Sequence, residues 1–133
     1  MKYAILIARI LLGLVFLVFG INHIVPFLPQ PPMVGDAGTF GTILFTHGFF
    51  RVIGLFQVIG GLLLLVGRFV PLGLTLLGPI IINIFLFTVL IQHGNPVLAI
   101  VLIAIEAFLI FAYRYAFAGI FSAGPQVTGS PKL

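Results

Sequence analysis

Apolar residues fill four runs of the chain, at positions 3–26, 49–67, 69–92 and 96–117, and polar or turn-forming residues separate them. Each run is close to the roughly 20 residues that an α-helix needs to cross the hydrocarbon core of a bilayer. Lipid offers the backbone no hydrogen-bond partners, so helices are the expected form of all four. The second run closes on VGRFVP, where Gly67 and Pro71 bracket a tight turn into the third.

Between the first two runs, PFLPQPPMVGDAGTFGTILFTHG (26–48) opens with four prolines and cannot begin as a helix. From Asp36 onward the pattern changes. Asp36 can cap an N-terminus, and Phe40, Ile43, Leu44 and His47 recur at helical spacing, which predicts a short helix lying on the outer membrane surface. The closing SAGPQVTGSPKL is polar and rich in glycine and proline. Residues 121–133 therefore read as a disordered cytoplasmic tail behind a four-helix transmembrane domain of residues 1–120. Lys2 resembles the basic end of a signal peptide, but the apolar run behind it is long, Arg9 interrupts it, and no small-x-small cleavage site follows. It reads as a retained first span.

At 100° per residue, the polar and small residues of each span gather on one face. Arg9, Gly13, Phe16, Gly20 and His23 form the stripe of the first span, Gly54, Gln57, Gly61 and Arg68 that of the second, and Ala99, Glu106 and Tyr113 that of the fourth. Small residues let helices approach and polar ones avoid lipid, so these stripes face the interior. The fold class is all-α: an integral membrane bundle of four transmembrane helices with a short outer interfacial helix.

Composition agrees: 62% of the residues are hydrophobic, 6% are charged and the mean hydropathy is +1.36, against roughly a quarter charged in soluble domains. Six scattered basic residues face only Asp36 and Glu106, with no basic cluster that could track a phosphate backbone, which argues against nucleic acid as a partner. Cysteine is absent, so the chain has no disulfide, no thiolate ligand and no thiol redox chemistry of its own. With four spans, Lys2, Arg9, Arg68, Arg114 and Lys132 share one side and Arg51 lies on the other. Basic residues are retained in the cytoplasm, so both termini are expected there.

Arg9 and Glu106 lie well inside their spans. Counted at 1.5 Å per residue from the cytoplasmic ends, Arg9 is roughly 9 Å deep and Glu106 roughly 16 Å, a gap an arginine side chain can bridge. Each is the other's natural partner, either as a structural ion pair or as a proton-handling or ligand-anchoring site. Gln57 and Asn83, at similar outer depth beside Phe85 and Phe87 and with Tyr113 on the fourth span, are candidates for a lipophile pocket; interhelical hydrogen bonding is the alternative role for the two amides. His23, His47 and His93 fall on the outer side. They raise the alternative of a metal site, but no paired-histidine motif supports one.

The segments ARILLGLVFLVFGINHI, GLFQVIGGLLLLVGRFVPLGLTLLGPIIINIFLF and AIEAFLIFAYR together resemble the DoxX family of small four-helix membrane proteins, over nearly the whole chain except the tail. The resemblance implies a bundle in a bacterial plasma membrane. It also implies an association with a thiosulfate:quinone oxidoreductase or with complexes that handle oxidative or thiol stress. Many relatives have Glu where this chain has Gln57, so no acid–base role carries over to the second span.

Three functions follow as expectations. The first is a membrane subunit or accessory of a quinone-linked oxidoreductase or oxidative-stress complex, with a quinone as its bound lipophile; the chain has no flavin, haem or nicotinamide motif, so catalysis would require an oxidoreductase partner. The second is a non-catalytic protein that assembles other membrane proteins, or further copies of itself, on its glycine-lined faces. The third is a small transporter, for which no inverted repeat is evident.

Overall fold

The computed structural model describes residues 1–28, 32–124 and 127–129, and all of its regular structure is helical. Five α-helices follow one another: α1 (Lys2–Ile24), α2 (Gly35–Thr46), α3 (Phe49–Val66), α4 (Val70–Leu86) and α5 (Val97–Ala112). A π-helical turn, Phe87–Gln92, extends α4, and a 3-10 segment, Arg114–Phe121, follows α5. Among the described residues, three helices are long and apolar enough to cross a membrane, α1, α3, and α4 with its π extension, and α5 with the 3-10 segment makes a fourth if the bent pair is one span. Part of the proline run (29–31) and part of the polar tail (125–126 and 130–133) lie outside the described residues.

The apolar periodicity anticipates α1, α3 and α4 to within a few residues. The fourth span is different, because α5 stops at Ala112 and the chain bends by 87° into the 3-10 segment instead of running straight to residue 117. Arg114 explains the stop. Its Nη1 donates to the Phe111 carbonyl at 2.9 Å and its guanidinium lies over the rings of Phe111 and Tyr115, so the cation caps the negative end of the helix and its stem is covered by aromatic surface.

The α3–α4 turn is set by backbone that curls left-handed twice, at Gly67 (φ 80°) and at Phe69 (φ 56°). Pro71, in the first turn of α4, has no N–H to leave unpaired there. A helix does form after the proline run, but Asp36 sits in its first turn and makes no capping hydrogen bond; Val34 is the N-cap. Ala37 and Gly41 are buried, whereas Phe40, Ile43 and His47 are exposed, because small residues let α2 lie close to its neighbours. Phe40 meets Phe87 of the π turn at 5.8 Å between ring centroids.

Helix α1 packs on α3, α3 on α4 and α4 on α5, and α5 returns to α1. The closest approach is between α1 and α3. A Cβ on Gly20 would stand 2.7 Å from the Gly54 carbonyl oxygen, and one on Gly54 the same distance from the Gly20 oxygen, so the backbones touch where neither carries a side chain. The pairing is antiparallel and repeats at Gly13 and Gly61. Gly60, on the other side of α3, receives Leu77 of α4. Leu12, Phe16, Leu64, Leu74, Leu77, Ile81, Leu102 and Leu109 fill the interior.

Candidate functional site

Among the described residues, three polar side chains are buried in this hydrocarbon: Asn22, Gln57 and Glu106. Two of them are satisfied. Asn22 Oδ1 accepts from the backbone N–H groups of Phe27 and Leu28 at 3.0 and 2.9 Å, closing the chain after α1 where the helix can no longer supply partners. Gln57 Oε1 lies 2.6 Å from Nδ1 of His23, an arrangement in which the imidazole N–H donates to the amide oxygen. The His23 ring stacks on Phe50 at 5.2 Å and 9°. Gln57 thus ties α3 to α1, in the interhelical role that its position on the glycine stripe allows.

Glu106 is the exception. It is 6% exposed, on the face of α5 that also carries Ala99, Leu102 and Leu109, and neither carboxyl oxygen has a hydrogen-bond partner. A buried polar group left unpaired costs roughly 1–3 kcal/mol, and more when charged, so its presence calls for a reason.

The expected ion pair with Arg9 is not formed. Arg9 turns instead toward the α3–α4 turn, where a Cβ on Gly67 would stand 2.9 Å from its Nη1, and its buried Nε has no partner. Depth is not the obstacle. With α5 ending at Ala112, Glu106 lies about 9 Å from its helix end and Arg9 about 10 Å from the start of α1. The αL bend at Gly67 leaves a bare backbone beside α1, and the guanidinium occupies it.

The five residues expected to line a lipophile pocket do not converge. The Gln57 oxygen points to α1, while Asn83 is exposed and folds back on its own helix, donating from Nδ2 to the Pro79 carbonyl at 2.9 Å. Phe85 is half-buried, Phe87 faces Phe40 of α2, and Tyr113 packs on the core just past the C-terminal end of α5. Nor do the histidines assemble: His23 is engaged with Gln57, His47 and His93 are exposed, and among the described residues no group of three His, Cys, Asp or Glu side chains could hold a metal ion.

Among the described residues, Glu106 is the carboxyl left chemically unspent at depth. Comparison with protein-family models, with curated proteins and with solved structures gives no match. Sequence reasoning singled out Glu106 but missed the His23–Gln57 bond. The signal for it was present: both residues lie on the interior stripes of neighbouring antiparallel spans.

Proposed function

We propose that the chain is a DoxX-like integral membrane protein, a bundle of four transmembrane helices in the plasma membrane with α2 along the outer surface and both termini cytoplasmic. In this reading it serves as a membrane subunit or accessory of a quinone-linked oxidoreductase or oxidative-stress complex. Glu106 carries the proposal. An interior carboxyl without a partner, on a helix face it shares with Ala99, Leu102 and Leu109, suits a lipophile that brings its own polar atoms. Protonated, it donates to a quinone carbonyl; ionised, it accepts from a quinol hydroxyl. Electron transfer itself belongs to the partner enzyme, since the chain has no cysteine and no motif for a redox cofactor.

The competing assembly role draws less support, because Gly13, Gly20, Gly54, Gly60, Gly61 and Gly73 are already occupied by contacts among α1, α3 and α4. Native mass spectrometry of protein extracted in mild detergent, together with thermal stability in the presence of added menaquinone and ubiquinone analogues, tests the proposal. The wild type should retain or be stabilised by a quinone and the Glu106→Leu variant should not. A wild type indifferent to every quinone, and purified without a redox enzyme, would end this reading.

A further inference from the structure

Among the described residues, the cations at the end of the molecule that carries Lys2 have no side-chain carboxylate paired with them. The antiparallel pairing of α1 and α3 brings the α3–α4 turn to that end, and Arg68 is exposed in the turn immediately after Gly67, on which the Arg9 guanidinium rests. The chain has two side-chain carboxylates only: Asp36 is on α2, which packs at the opposite end against the start of α3 and the π turn, and both oxygens of Glu106 are unpaired. No side-chain carboxylate therefore neutralises Lys2, Arg9 or Arg68. Arg9 is half-buried, with its Nε shut away from solvent and unbonded, so water does not relieve that nitrogen either. Beside it, an open groove of about 500 Å³ runs along α1, with Lys2, Tyr3 and Arg9 as its polar lining and Ile5 and Leu6 as its apolar one.

We infer that this end binds the phosphate of an anionic phospholipid, between Arg9, Arg68 and Lys2, with an acyl chain along Ile5 and Leu6. Two guanidinium-bearing residues brought to one turn offer several donors to one anion, and a phosphate accepts from several such donors at once. The depth gradient fits an amphiphile better than a free ion: Lys2 is at the helix end, Arg9 about 10 Å further in, and the wall between them is hydrocarbon. This site is separate from the one proposed at Glu106 and involves no shared residue.

The wild-type protein in phosphatidylcholine nanodiscs, with and without added phosphatidylglycerol, supplies the test by thermal unfolding and by lipid retention in native mass spectrometry. Phosphatidylglycerol should stabilise the protein and remain bound, and the gain should shrink as salt is raised. Arg9→Gln and Arg68→Gln should each weaken retention about fivefold, whereas Arg51→Gln, at the opposite end, should not. Arg9→Lys keeps the charge and should lose less than Arg9→Gln, which guards against reading a folding defect as lost binding. Equal stabilisation by phosphatidylcholine, equal loss in the Arg51→Gln control, or full stabilisation by inorganic phosphate alone would overturn the assignment.

Discussion

Gly13 and Gly61 meet backbone to backbone: a methyl on Gly61 would stand 2.7 Å from the Gly13 carbonyl oxygen, and one on Gly13 2.9 Å from that of Gly61. Two helices touch here through peptide groups, with nothing that can move aside by a change of rotamer. Gly61→Ala should therefore force α1 and α3 apart and cost about 1–3 kcal/mol. Gly78→Ala, on α4 with nothing within 4 Å, should be neutral or stabilising. Thermal unfolding in detergent compares the two, and equal effects would mean that the α1–α3 contact is looser than this geometry.

Glu106→Leu should stabilise the protein. Its carboxyl has no partner to lose, so an apolar residue of similar size removes an unpaired polar group worth roughly 1–3 kcal/mol. Arg9→Leu should have an independent effect, and the double variant should show the sum of the two. A destabilised Glu106→Leu variant that Arg9→Leu rescues would restore the direct pairing of the two residues.

Gly67 and Gly48 both have left-handed backbone, with φ of 80° and 72°. A Cβ at Gly48 meets nothing within 4 Å, while one at Gly67 meets the Arg9 guanidinium. Gly48→Ala should cost only the conformational penalty of about 1–2 kcal/mol. Gly67→Ala should cost more, and Arg9→Ala should recover the excess. Unfolding by titration with a denaturing detergent would show it; identical losses at the two glycines would remove Arg9 from the turn.

Reporter fusions at residue 124 and near Gly35 should be active on opposite sides of the membrane, with the C-terminal one cytoplasmic. Lys2, Arg9, Arg68 and Arg114 against Arg51 motivate the orientation. An externally active C-terminal reporter would invert the topology.

The spans and their inward faces were legible because hydropathy and periodicity are properties of single segments. Gly13, Gly20, Gly54 and Gly61 could be placed on interior stripes without knowing which helix each would meet. Partnerships between helices were harder. Arg9 has a long side chain with several acceptable destinations, and the bare backbone at Gly67 proved the nearer one. Asn83 read as an interior amide, yet a short side chain can return to its own helix and leave the interior unserved. The stop at Ala112 was hidden because Tyr113, Tyr115, Ala116 and Phe117 carry the aromatic and apolar run on past Arg114; the deciding event is a hydrogen bond from Arg114 back to Phe111.

The early end of α5 has a consequence for the surrounding lipid. At 1.5 Å per residue its 16 residues rise about 24 Å, whereas the 23 of α1 rise about 34 Å, on either side of the roughly 30 Å thickness of a bilayer's hydrocarbon. In the proposed four-span arrangement, a membrane that fits one flank of the molecule is mismatched to the other. Lipids near α5 would then thin or the helices tilt, each at a fraction of a kcal/mol per ångström, and such a one-sided dent in the bilayer would draw the protein toward thinner membrane and toward neighbours with the same deficit.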